Sequence, residues 1–286
     1  MLVELAIADA YGNLFEMKQP DFVAANNKLT GYLSGTGYYT DDTQMSLAVA
    51  EAILSGEPWE KPLLAGKFVE AFKRDPHSGY AGSFYQFLTE VVDGPDFLAR
   101  IRNTSIRNGG AMRAGPIGIF PTVAEVIEKS DLQARITHNT VEGRSAAIAA
   151  ALMTHYFLYD RGPKANLGRF LNEYNPVKVS GVDWTELWQR RVGLTGPEAV
   201  QAAVTAIIRN DSRSSLLKDC INFSGDVDTV AAIAMAAVAH SPEIKADLPQ
   251  HLYDKLEDGP YGHQYIKNLD KQLLEMYLRL KQGNNK

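Results

Sequence analysis

The chain is 286 residues long, 45% apolar and 22% charged, an ordinary make-up for a globular protein. Its net charge of −5 argues against a general grip on the phosphate backbone of nucleic acid. One cysteine, Cys220, excludes a disulfide framework or a cysteine zinc site and fits a reducing compartment.

The opening, MLVELAIADAYGNLFE, is apolar but has no basic leader, and Glu4 and Asp9 interrupt it, so it does not read as a signal peptide. Gln19 to Tyr38 reads as a loop. Thr43 to Ser55 reads as a helix with Gln44, Glu51 and Ser55 on one face; Gly56 stops it and Pro58 follows. Asn103 to Gly110 reads as a second loop. Arg144 to Asp160 is an Ala-rich helix ended by Gly162 and Pro163, and Asn175 to Asp183 is a third loop. Pro197 to Arg209 starts on proline, which the first helical turn tolerates best. Val227 to His240 is apolar on nearly every side, the pattern of a central buried helix, and Pro242 closes it. The last helix sets Ile266, Leu269, Leu273, Met276, Tyr277 and Leu280 on one stripe. The tail KQGNNK reads as frayed.

Alternating strand patterns are scarce and about a dozen helical segments pass the periodicity test. The expected fold is all-α, one compact bundle over residues 1–286 with no internal repeat. The longest fully apolar run, Val230 to Ala239, has ten residues, far short of the ~20 that span a bilayer. A cytoplasmic protein without membrane contact is expected.

Two helix starts carry paired acids. In YTDDTQM, Asp41 and Asp42 precede an apolar run; a simple helix cap, with Gln44 in capping-box position, would explain them. In SGDVDT, Asp226 and Asp228 open the central apolar helix, again beside a threonine, Thr229. A cap needs one acid, and four carboxylates gathered at the centre of a fold repel one another unless something neutralises them. Two divalent cations carry about the right charge. Carboxylates and hydroxyls are hard oxygen donors, which select Mg²⁺ or Mn²⁺ over zinc.

SIRNGGAMRAGPIG, from Ser105 to Gly118, is neither a P-loop nor a dinucleotide fingerprint. Its glycines suit either a pyrophosphate cradle or a tight turn between helices. Gly79 and Gly82 bracket Tyr80 with the same two readings. His138, in ITHNT, reads as a structural histidine at a seam between helices, His155 as core, and Glu16 as a surface acid.

Together these blocks resemble the ADP-ribosylglycohydrolase family. ADAYGNLFE, YTDDTQM, RNGGAMRAGPIG, ITHNT and SGDVDT occur in the family's order, from Asp9 to about Leu273. The resemblance implies an all-α fold with a binuclear Mg²⁺ or Mn²⁺ centre held by Thr40, Asp41, Asp42, Asp226, Asp228 and Thr229. It implies that Ser105, Asn108, Gly109 and Gly110 hold diphosphate and ribose, that Gly79, Tyr80 and Gly82 form a second phosphate-facing loop, and that His138 lies near the ligand. Three positions depart from the family's usual glycines: Ala8, Ser224 and Arg107.

The implied reaction is hydrolysis of the bond between C1″ of ADP-ribose and an acceptor, with cations orienting the ribose and activating water. Asp41, Asp228 and Glu16 are the candidates for proton transfer. An ADP-ribosylated protein or other ADP-ribose conjugate is the expected partner, and ADP-ribose the product. The competing expectations are an ADP-ribose-binding relative without turnover and a Mg²⁺-dependent phosphohydrolase. The second lacks its His-Asp dipeptide here.

Overall fold

The computed structural model describes residues 1–283. Among them are fifteen α-helices: α1 (Leu2–Gly12), α2 (Pro20–Asn26), α3 (Asp41–Leu54), α4 (Lys61–Arg74), α5 (Gly82–Glu90), α6 (Gly94–Arg100), α7 (Gly109–Met112), α8 (Val123–Thr137), α9 (Val141–Leu158), α10 (Leu167–Tyr174), α11 (Gly196–Arg209), α12 (Arg213–Asn222), α13 (Val227–Val238), α14 (Gln250–Asp254) and α15 (His263–Gly283). Two short 3₁₀ turns, Gly115–Ile119 and Lys164–Asn166, join them. Pairing between extended segments among the described residues is limited to isolated bridges, so the fold is all-α, as expected.

Every residue of α13 is buried, as are all of α9 from Ser145 onward. These two helices and α1 form the centre. Alanines make that possible: Ala231, Ala232, Ala234, Ala236 and Ala237 in α13 are 0–2% exposed. Small side chains let helix backbones approach closely. At the α1–α13 crossing the gap closes entirely: a Cβ on Gly12 would lie 2.5 Å from Asp228 Cα. Buried apolar residues from Met1 to Tyr277 belong to one core. No helix among the described residues is long and apolar enough to cross a membrane.

The main differences from the expected elements are short. Helix α2 occupies part of the expected first loop, but of its seven residues only Val23 is buried, too little to give a periodic signal. Helices α7 and α14, of four and five residues, are too short to show a period and account for part of the excess over a dozen. Helix α3 begins at Asp41, two residues before the expected start at Thr43, and α9 at Val141, three before the expected Arg144. The stripe of α15 faces the core at Ile266, Leu269, Leu273 and Tyr277. The expected fraying falls on Lys281–Lys286; helix runs through Gly283 instead, and residues 284–286 lie outside the described residues.

Candidate functional site

The two acidic helix starts meet at the centre. Thr229 Oγ1, in the first turn of α13, donates to Asp42 Oδ2 in the first turn of α3 at 3.3 Å. Neither acid pair serves as a side-chain cap. The cap of α3 is Thr40, whose hydroxyl oxygen accepts from Asp42 N, and Asp226, ahead of α13, makes no capping bond. Capping therefore leaves these carboxylates unexplained.

Asp9 joins them from α1. It is fully buried and accepts four hydrogen bonds: from N and Oγ1 of Thr40 at 2.9 and 2.7 Å, and from N and Oγ1 of Thr43 at 3.0 and 2.6 Å. That clamp fixes the start of α3 on α1. The sequence assigns Asp9 no role in the site; it is one of two acids, with Glu4, in an otherwise apolar helix. Glu16, read as a surface acid, is partly buried instead and faces the same cluster.

Carboxylate oxygens of Asp9, Asp42 and Asp228 lie within 4.8 Å of one another, and so do those of Glu16, Asp226 and Asp228. Asp228 belongs to both groups. Among the described residues no Lys, Arg or His forms an ion pair with any of these acids or with Asp41. Burial pushes the carboxyls of Asp41 and Asp42 well above the usual carboxylate range, and the neighbouring charge of Asp9 pushes them further. Burial and then Asp226 do the same to Asp228. Glu16 is raised by burial, then by Asp226 and Asp9. Asp9 is raised by burial, against the opposing pull of its threonine donors.

One oxygen shows what the cluster lacks. Asp42 Oδ1 is buried and has no hydrogen-bond partner. A buried acceptor without a donor is costly unless a cation or a proton meets it. With oxygen donors throughout and two groups of three carboxylates sharing Asp228, the residues fit hard divalent cations such as Mg²⁺ or Mn²⁺.

The acids form the floor of a cleft of about 750 Å³ lined by Glu16, Asp41, Asp42, Asp226, Asp228 and Thr229. Its walls include Gly79, Gly82, Ser105, Asn108, Gly109 and His138. Asn108 Nδ2 donates to Asp226 Oδ2 at 2.8 Å, tying the glycine-rich segment to α13. Gly79 has φ +100°, and a Cβ there would stand 2.2 Å from Asp41 Oδ1; both facts require glycine. Arg102 and Arg107 are exposed and line the mouth.

Three expected site residues sit behind that lining. Thr40 Oγ1 gives its proton to Asp9, which leaves its oxygen able to accept. Gly110 packs on the imidazole of His138. Tyr80 gives its hydroxyl proton to Gln44 Oε1 at 2.6 Å and packs its ring on Phe72 and Phe84, so it braces the loop from behind. Arg113, which the sequence reading passed over, also lines the cleft and is 1% exposed. It has no carboxylate partner; it donates to Gln133 and Thr137 and lies over the Phe68 ring at 4.4 Å.

Comparison with known proteins follows the same outline. The family described as ADP-ribosylglycohydrolase matches residues 1–282. ADP-ribosylhydrolase ARH3 of Homo sapiens is 31% identical over 129 residues, which are 42% of this chain and 36% of that protein; the match thus spans about a third of its length. ADP-ribosylarginine hydrolase Tri1 of Serratia proteamaculans is 24% identical over 96% of this chain and 78% of its own. The ADP-ribosyl-[dinitrogen reductase] glycohydrolase of Rhodospirillum rubrum is 23% identical over 88% and 87%. A solved structure of an ADP-ribosylglycohydrolase-related protein complex superposes with a TM-score of 0.71 at 20% identity, covering 98% of this chain and 96% of the other, a likeness of fold.

Proposed function

The chain belongs to the ADP-ribosylglycohydrolase family, and we propose that it hydrolyses the bond between C1″ of ADP-ribose and an acceptor, with two Mg²⁺ or Mn²⁺ ions as cofactors. The observation that carries this reading is the pair of carboxylate groups sharing Asp228 on the floor of the cleft. Relatives named for removing ADP-ribose from arginine and from dinitrogen reductase support the reaction class.

Asp9, Asp42 and Asp228 would hold one cation, and Glu16, Asp226 and Asp228 the other, with Asp41 and the hydroxyls of Thr40 and Thr229 at hand. Bound there, the cations supply positive charge for the ribose hydroxyls and for the attacking water. The protein's part is orientation and proton transfer. Asn108 keeps Asp226 aimed at the site. Gly79, Gly82 and Gly109 let backbone approach the diphosphate closely. Glu16 lies where the acids meet the open cleft, and the carboxylate oxygen it does not give to a cation is placed to take a proton from water.

A panel of ADP-ribosylated arginine, serine and polymer substrates, assayed for ADP-ribose release with each cation, tests the proposal. Release from at least one conjugate, abolished by chelator, is expected. Tight ADP-ribose binding without release from any conjugate would mean a binding protein instead.

A further inference from the structure

Gln133, Arg113, Thr137 and His138 form one directed hydrogen-bond chain, and a group that can only donate fixes its sense. The Gln133 amide nitrogen donates to the Gly110 carbonyl at 2.7 Å, which turns its oxygen toward Arg113. Arg113 Nε donates to that oxygen at 2.8 Å, and Nη2 donates to Thr137 Oγ1 at 2.6 Å. A guanidinium has five donors and no acceptor, so the Thr137 hydroxyl accepts there and keeps its own proton to give. Its other neighbour is His138 Nδ1, 2.6 Å away. Among the described residues the hydroxyl has no further acceptor. The proton therefore points at Nδ1. A ring nitrogen that accepts is bare, and in a neutral imidazole the remaining proton then sits on Nε2.

The surroundings hold the ring neutral. Burial, with the charge of Arg113 added, lowers the His138 pKa to about 3. His138 Nε2 makes no hydrogen bond among the described residues, and it is not enclosed: the residue lines the cleft. Gly109 leaves that edge open, since a Cβ there would stand 3.0 Å from Cε1 and 3.2 Å from Nε2.

We infer that Arg113 and Thr137 are positioning residues that lock His138 as its Nε2–H tautomer, and that this N–H is a fixed neutral donor to an oxygen of the ADP-ribose in the cleft. The ligand's identity rests on the function proposed above; the tautomer does not.

Two-bond ¹H–¹⁵N correlation on the full chain, ¹⁵N-labelled at histidine and loaded with Mg²⁺, reads the tautomer. The His138 signal is identified by its loss in His138→Gln. The wild type should show a bare Nδ1 and a protonated Nε2 at neutral pH. Thr137→Val should lose that pattern, and Thr137→Ser should restore it. In parallel calorimetry, Thr137→Val should weaken ADP-ribose binding about tenfold, roughly what one neutral hydrogen bond is worth, and Thr137→Ser should recover it. A wild-type ring that is charged or protonated at Nδ1 overturns the inference. So does a folded Thr137→Val protein with the pattern and affinity unchanged. If Thr137→Val does not fold, the wild-type spectrum still decides. Wild-type protein that shows the tautomer but binds no ADP-ribose refutes the proposed function and leaves the lock standing.

Discussion

Thr229 Oγ1 and Asp42 Oδ2 stand 3.3 Å apart although 187 residues separate them in sequence. The contact joins the first turns of α3 and α13, and around it the acids of three chain segments share one enclosed space. Like charges in so small a volume are tolerated only with compensation.

Replacing Asp228, the acid common to both groups, should separate stability from function. Asp228→Asn should abolish ADP-ribose release. Mg²⁺ should no longer raise the melting temperature, whereas in the wild type cation at a hundred times its Kd adds about 2.7 kcal/mol. Without metal, the variant should melt above the wild type, since it removes one of several buried like charges. Differential scanning calorimetry with and without chelator measures both.

Glu16→Gln keeps the shape of the cleft, turns one carboxylate of a cation group into a weaker neutral oxygen donor and removes a proton acceptor, so it is assayed at saturating Mg²⁺. Turnover should fall at least a hundredfold, the usual scale of general acid–base catalysis. ADP-ribose affinity should change much less. Steady-state kinetics beside calorimetric titration separates the two.

Acidity should compete with the cations. The carboxyls of Asp41, Asp42 and Asp228 are raised in the folded state, so folding favours their protonated forms. Their contribution is present below the unfolded value of about 4 and is lost as pH rises through the raised folded values. Metal-free protein thus loses stability from these groups as pH rises, and cation binding must expel protons. The lowered pKa values of His138 and His155 act oppositely, but equally with and without metal. The stabilisation by Mg²⁺, taken as the difference between loaded and chelated protein, should therefore shrink between pH 8 and pH 5.

One glycine keeps the floor in place. Gly12→Ala sets a Cβ 2.5 Å from Asp228 Cα, backbone against backbone, and should cost about 1–3 kcal/mol as overpacking does, with cation affinity reduced because α13 moves. Ser224 is the opposite case. It holds φ +60°, a left-handed conformation that costs a side chain about 1–2 kcal/mol. Ser224→Gly should raise the melting temperature in thermal unfolding.

The acid pairs were legible because charged residues at the edge of long apolar runs contradict simple burial, and because two such edges repeat one pattern. Asp9 was not, since it lies inside its helix rather than at a helix start and repeats no paired pattern; only the fold brings Thr40 and Thr43 to it. Arg113 hid for a related reason. Its neutral partners Gln133 and Thr137 lie on another helix, and nothing local distinguishes a buried arginine from an exposed one. The glycines flanking Tyr80 left loop and turn equally open and only the family resemblance turned it toward the ligand; a glycine's φ says nothing about where the next side chain turns, and the Tyr80 hydroxyl faces Gln44. Long helices were legible from periodicity, whereas α2 and α14 bury one residue each and carry none.

The central claim is that the shared acids are a two-cation site. Crystals of the protein grown with Mn²⁺ and measured for anomalous scattering test it directly. Two peaks are predicted, one among Asp9, Asp42 and Asp228 and one among Glu16, Asp226 and Asp228, both touching Asp228. A fully formed acid cluster with no manganese in it at millimolar Mn²⁺ would contradict the account.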